Sequence, residues 1–259
     1  MDTTPCASVE SVVILKSDRL YAEVLRQRVC QEFPRARITL EVSVDGAART
    51  LAAETCDFLV TGLGAAVEGD VLDLLARRGN SHRVARRVLV ITARAEFRVL
   101  AALKSLGVDG VFDSEAEPPE RLQTVLRTVA GGMLCWSPTI VEHMRRVGSS
   151  SNAWFRMLTA FEQIVLSVVG DGSDDSVAAR ELGLSPATVS TVRRELHRKL
   201  GVQHRGELVR VAAQQGFVRF TPDGVVRPGF ALLSAAYRAR RTKRLEIAQP
   251  SDHDSSLHP

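Results

Sequence analysis

Five short strand-like stretches recur between residues 11 and 113, each followed by an amphipathic stretch. This alternation constrains the chain more than any other feature, because a run that is apolar at every position suits a strand covered on both faces. Val12-Val13-Ile14-Leu15 is such a run, and Arg37-Ile38-Thr39-Leu40, Phe58-Leu59-Val60-Thr61, Arg87-Val88-Leu89-Val90-Ile91-Thr92 and Gly110-Val111-Phe112 are the further strand candidates. Helical spacing follows over 20–33, 47–53, 71–78, 97–106 and 119–129. In the first of these, Leu20, Val24, Leu25 and Val29 fall near one face. Gly107 closes the fourth, and Pro119 opens the fifth, where a first turn tolerates proline. The pattern predicts an α/β domain over residues 1–132, a doubly wound five-stranded parallel sheet. Function in such a sheet gathers at the carboxyl ends of the strands, here Lys16, Ser17, Asp18, Gly62, Thr92, Asp113 and Ser114.

Residues 133–157 read as a linker, with the small polar run Gly148-Ser149-Ser150-Ser151-Asn152 as its flexible part. Trp136 and Trp154 bracket it as packing anchors. From residue 158 to 218 the spacing is purely helical and predicts an all-α four-helix domain. The first helix carries Thr159 at its N-cap and Glu162 three residues on, a capping box. A short second helix over 176–182 ends at Gly183. Ser185 caps a third over 186–200, ended by Gly201, and a fourth over 205–215 ends at Gly216. Leu208, Val209, Val211 and Ala212 on the fourth suit either the first helix or a second subunit. Residues 219–259 form a basic extension with a helical stretch over 230–245 and a disordered end. Its cluster Tyr237-Arg238-Ala239-Arg240-Arg241-Thr242-Lys243-Arg244 either touches phosphates or solubilises the tail.

The second and third of these helices and the turn Leu182-Gly183-Leu184-Ser185 make a helix-turn-helix. Between the apolar positions of the third helix stand Ser190, Thr191, Arg193, Arg194, His197, Arg198 and Lys199. A helix in the major groove needs short groups near its N-terminus to approach base edges, and cations further on for guanines and phosphates. The order here is that one, and the formal charge of +4 is compatible with a nucleic-acid partner. Candidate phosphate contacts are Arg193, Arg198, Lys199 and Arg205.

Other classes fit poorly. A 45% hydrophobic, 25% charged composition is that of a globular chain. No apolar run is long enough to span a membrane, and the N-terminus lacks a signal-peptide pattern. Cys6, Cys30, Cys56 and Cys135 form no C-x-x-C pair, which argues against zinc and for reduced thiols in a cytoplasm. No histidine is spaced with a nucleophile or acid for catalysis, so no enzyme, metal or cofactor is expected.

Leu158-Thr159-x-x-Glu162, Ala179-x-x-Leu182-Gly183-Leu184-Ser185, Thr188-Val189-Ser190-Thr191 and Arg198-Lys199-Leu200-Gly201-Val202 resemble the LuxR/NarL (GerE) DNA-binding domain over about 158–217. The resemblance implies that the third helix reads the major groove and that the fourth commonly forms a dimer contact. It places base-facing roles on Ser190, Thr191 and Arg194. The family usually has Lys where Ser190 stands and His where Val192 stands, so target sequence does not transfer.

In front of such a domain, residues 11 to about 130 look like a receiver domain of the NarL/FixJ type. The resemblance calls for two acids after the first strand to hold Mg²⁺, a phosphoacceptor Asp after the third, a Ser or Thr after the fourth and a Lys after the fifth. Aligned residue by residue, the acid pair is Lys16 and Ser17, the phosphoacceptor is Gly62, and the Lys is Ser114. Thr92 is kept, and Asp18 lies one place beyond the acid pair. Glycine cannot form an acyl phosphate, and a lysine ammonium repels Mg²⁺.

The resulting expectation is a sequence-specific transcriptional regulator that binds double-stranded DNA, works without Asp phosphorylation and acts as a dimer on inverted half-sites about one helical turn apart. The alternative is an auxiliary regulator that heterodimerises with another transcription factor and binds DNA weakly alone. RNA polymerase stays open as a further partner, and no membrane is involved.

Overall fold

A computed structural model describes residues 9–63, 69–77, 84–94, 96–149, 154–222 and 224–248. Ser150 to Asn152 of the expected linker, the expected helix end at Arg78 and the tail 249–259 lie outside them, as do the side chains of Trp154 and of Arg240 onward.

The first half runs β1 Ser11–Leu15, α1 Arg19–Glu32, β2 Arg37–Glu41, α2 Val44–Ala53, β3 Phe58–Gly62, α3 Val71–Ala76, β4 Arg87–Thr92, α4 Phe97–Ser105, β5 Gly110–Asp113 and α5 Arg121–Ala130. Two elements follow within the expected linker, β6 Cys135–Trp136 and α6 Pro138–Ser149. The sheet is parallel, in the order β2-β1-β3-β4-β5-β6. It therefore has six strands where the sequence pattern predicts five. The additional strand pairs Cys135 with Gly110 and Trp136 with Val111.

Side-chain alternation divides the core into two layers. Val13, Leu15, Leu59, Val88, Val90 and Val111 face α2, α3 and α4. Val12, Ile14, Phe58, Val60, Leu89 and Ile91 face α1 and α5. Ile140 and Met144 bring α6 onto the first layer, so much of the expected linker is part of this domain. Trp136 packs there too, and its Nε1 donates to the Val108 carbonyl (3.3 Å). On α1 the buried stripe is Ala22, Leu25 and Val29, whereas Leu20 and Val24 are exposed. The stripe starts at the small Ala22, which lets the helix lie close to the sheet.

The chain reverses its direction of winding between β1 and β3, which are neighbours in the sheet. The carboxyl ends of these two strands, continued by Lys16 to Asp18 after β1 and by Gly62-Leu63 at the end of β3, thus face each other across the switch-point crevice.

The second half contains α7 Trp154–Met157, α8 Ala160–Val169, α9 Asp175–Leu182, α10 Pro186–Leu200 and α11 Arg205–Gln214. The Thr159 capping box is formed: the Glu162 amide donates to Thr159 Oγ1 (3.2 Å), and the Thr159 amide to Glu162 Oε2 (2.8 Å). Gly183 and Gly201 both sit at φ +65°, the left-handed cap that glycine adopts freely. Val165, Leu166, Val169, Val189, Leu196 and Leu208 share one core. The extension forms a hairpin, β7 Arg219–Thr221 and β8 Gly224–Val226, and α12 Phe230–Ala248.

Candidate functional site

The chemistry-bearing residues fall in two places, the α10 surface and the strand-end crevice. Ser185 starts α10 by accepting from the Thr188 amide (3.1 Å), and Pro186 occupies its first turn. Val189 and Leu196 anchor the inner face. Thr191, Arg194 and Arg198 are exposed on the outer one. Thr191 Oγ1 donates to the Ala187 carbonyl (3.0 Å) and accepts from Arg194 Nη2 (3.3 Å). Arg198 lies on Glu195 of the same helix (2.8 Å), both side chains largely solvated. Such an i,i+3 pair is weak and opens readily toward a phosphate. An open depression beside α10 is bordered by Ser190, Arg194, His197, Arg198 and Gln203. His197 Nδ1 lies 3.0 Å from the Val202 carbonyl, so the tautomer protonated there donates to the turn after α10.

The remaining predicted cations are tied within the domain. Arg193 is 14% exposed, pairs with Asp175 (2.8 Å) and donates to the Ser173 carbonyl (2.9 Å). Lys199 pairs with Glu162 (2.8 Å). Burial alone would raise the Glu162 carboxyl, but Lys199 and Thr159 outweigh it and hold it below the ordinary glutamate range. Arg205 pairs with Asp174 (2.7 Å) and donates to the Gly172 carbonyl. Asp174, Asp175 and Glu162 are partners of these cations that the sequence alone does not reveal. Asp174 and Asp175 form an acidic pair at the N-cap and first residue of α9, but nothing local in the sequence shows that α10 and α11 return to it. On α11, Leu208 and Ala212 are spent on the domain core, and Gly206 and Arg210 are exposed.

In the crevice, Lys16 occupies the space that a side chain on Gly62 would take. A Cβ built on Gly62 would lie 3.1 Å from Lys16 Nζ and 3.3 Å from its Cδ. The ammonium also lies 4.4 Å from the Tyr21 ring centroid. Desolvation lowers the Lys16 pKa, while nearby Asp18 raises it. Asp18 is itself the N-cap of α1, accepting from the Tyr21 amide (2.9 Å). Thr92 is buried and its hydroxyl accepts from the Arg94 amide (2.9 Å). Ser114 donates its amide to the Thr92 carbonyl (3.1 Å). Asp113 caps the turn after β5 through the Glu115 and Ala116 amides (both 3.1 Å) and accepts from Thr139 (2.8 Å). Among the described residues no three His, Cys, Asp or Glu are grouped to hold a metal ion. No helix among them is long and apolar enough to cross a membrane.

Residues 156–212 match the family model for bacterial regulatory proteins of the luxR family. The helix-turn-helix is therefore of the luxR type. The chain is similar to the nitrate/nitrite response regulator NarL of Escherichia coli K12, 25% identical over 141 residues, which cover 53% of this chain and 63% of NarL. It is similar to the transcriptional regulatory protein MctR of Rhizobium johnstonii, 30% identical over 134 residues, 51% of this chain and 60% of MctR. These alignments span less than two thirds of either relative. Among solved structures, RcsB of Salmonella enterica serovar Typhimurium, bound to the promoter P1flhDC with a phosphomimetic, superposes with a TM-score of 0.53 at 18% identity. That superposition covers 79% of this chain and 98% of the RcsB chain. A structure titled as an RcsB–DNA complex gives 0.52 at 17% identity, over 80% of this chain and 98% of that one. The shared fold is a receiver-like parallel sheet followed by a helical domain.

Proposed function

We propose that this chain is a sequence-specific DNA-binding transcriptional regulator whose receiver-like domain works without aspartyl phosphorylation, and that it engages DNA as a dimer. The observation that carries the first part is the α10 surface. It offers Ser190 and Thr191 near the helix start and Arg194 and Arg198 beyond, with its apolar face committed to the core. That is the distribution a recognition helix needs. The relatives named as transcriptional and response regulators, and the RcsB–DNA structures, support the same reading. Lys16 packed over Gly62 supports the second part: the acceptor position has no carboxylate, and a cation lies where Mg²⁺ would need acids. The functional units are then the receiver-like domain, extended through α6, and the domain from 158 to 218.

One observation favours a second reading, an auxiliary subunit that pairs with another regulator. Arg193 and Lys199 are each held by a carboxylate, and Ser190 is short, so α10 offers few uncommitted cations to phosphates.

Selection of bound sites from a randomised duplex pool, with full-length protein and no phosphodonor, tests both. An enriched inverted repeat supports the autonomous dimer. Weak salt-sensitive binding without enrichment overturns it in favour of the auxiliary subunit.

A further inference from the structure

The two domains are fastened by the segment that follows α11. Arg98 of α4 lies in the junction and donates through Nη1 to the Gly216 carbonyl (2.9 Å) and to the Pro228 carbonyl. Its guanidinium carbon is 4.8 Å from the Phe217 ring centroid. Burial pushes its pKa down to about 10, with Asp70 and Asp73 acting the other way, so it remains charged at neutral pH.

The receiver-like domain supplies further grips. Asp70, the N-cap of α3, accepts from the Gly229 amide, and Asp73 Oδ1 accepts from the Leu232 amide (3.2 Å). Those donors belong to the first turn of α12 and the residue before it, where amides have no intrahelical partner and carboxylates are favoured. Arg219 of β7 donates to the Leu63 carbonyl just after β3 (2.6 Å). Gly216 approaches α4 so closely that a Cβ would meet Glu96 Cβ at 3.0 Å and Val99 Cγ2 at 3.1 Å.

The same segment grips the helix-turn-helix domain. Arg227 pairs with Asp171 (2.7 Å) and Glu181, with its side chain only 19% exposed. Tyr237 of α12 stacks on Phe161 of α8, centroids 5.6 Å apart and planes 28° from parallel. Meanwhile Thr191, Arg194 and Arg198 remain exposed. The receiver-like domain is held on the helix-turn-helix domain with these three side chains of α10 left uncovered.

We propose that residues 216–222 and 224–237 are a clasp that locks the receiver-like domain onto the helix-turn-helix in one arrangement that leaves the DNA-facing surface of α10 open. The lock is gripped at Leu63, Asp70 and Arg98, on the segments that leave the carboxyl ends of β3 and β4. The orientation a phosphorylated receiver would have to impose is thereby imposed by the extension. The consequence for DNA rests on the DNA-binding reading; the clasp itself does not.

The test compares full-length wild type with Arg98→Ala by small-angle scattering, hydrogen exchange and binding to the duplex selected by wild type. Where Arg98→Ala loses its circular dichroism, Asp73→Ala/Arg219→Ala serves instead, since it removes two ties that belong to neither core. The expected result is a compact wild type and an expanded variant, with faster exchange at the Gly229 and Leu232 amides. Affinity for the selected duplex should fall roughly tenfold, because the pair of reading helices is no longer preset. A folded variant that scatters like wild type overturns the clasp. Expansion with unchanged affinity overturns its role in DNA binding. Failure of wild type to select any duplex defeats the DNA-binding reading alone, since the scattering comparison still decides the clasp.

Discussion

Lys16 and Gly62 are matched: the lysine ammonium sits 3.1 Å from where a Cβ on the glycine would project. An aspartate placed at residue 62 would thus meet a cation at contact distance. Gly62→Asp should form an internal ion pair with Lys16 and remain unlabelled by acetyl phosphate in a phosphate-affinity gel, as wild type does. The pairing would restore the Lys16 pKa, which desolvation now lowers. A retarded species in wild type would refute the reading of the crevice.

The cations on α10 should separate into two classes. Arg198→Ala removes a solvated charge and should lower the salt slope of DNA binding by about one unit, with little change in stability. Arg193→Ala strips a partner from Asp175 and from the Ser173 carbonyl. It should cost about 1–3 kcal/mol of helix-turn-helix stability in urea, with a smaller change in salt slope. Equal salt-slope losses for both would mean that Arg193 leaves Asp175 to reach DNA.

That difference marks where sequence reading ran out. The apolar runs made β1, β3, β4 and β5 legible because a strand covered on both faces leaves few polar positions to confuse the pattern, whereas β2 Arg37–Glu41 is an edge strand with polar positions and was legible from its place in the alternation. Cys135-Trp136 is too short to show any period, and the small polar residues 148–152 drew the preceding α6 into an apparent linker. Leu20 looked like a core residue of α1, yet it is 77% exposed. Helical spacing alone cannot say which edge of an apolar stripe the sheet will cover. The reader face of α10 was visible from its caps and residue order. The ion pairs that restrain Arg193, Lys199 and Arg205 were not, since they join positions far apart in the chain.

Close backbone approach fixes another prediction. A Cβ on Gly170 would come within 2.5 Å of Ala212 Cβ and of the Leu166 carbonyl, where α11 crosses the end of α8. Neither obstacle is a flexible side-chain tip, so the helices would have to separate. Gly170→Ala should destabilise the second domain by about 1–3 kcal/mol. The shift should appear in the melting of that domain and leave the sheet domain unaffected; an unchanged melt would show that α11 docks elsewhere.

Acid should act on the two ends of the molecule with opposite sign. Burial tends to raise Glu162 and Asp171, but their bonds to Lys199 and Thr159, and to Ser173 and Arg227, bring both below their ordinary values. A carboxyl depressed in the folded state contributes stability above its unfolded pKa, and that contribution disappears as pH falls through the folded value. Asp70 and Asp73 are raised by desolvation, so their ionisation opposes folding at neutral pH and protonation relieves the strain. Mild acid, from pH 7 to about 5, should therefore leave the clasp intact, while the helix-turn-helix weakens below about pH 4, near the unfolded carboxyl values. Glu162→Gln should cost about 1–2 kcal/mol at pH 7 and flatten this acid limb, since the amide cannot pair with Lys199. Urea titrations of both proteins at stepped pH measure the slope. An acid limb as steep in Glu162→Gln as in wild type would remove the Lys199 pair from the account of stability.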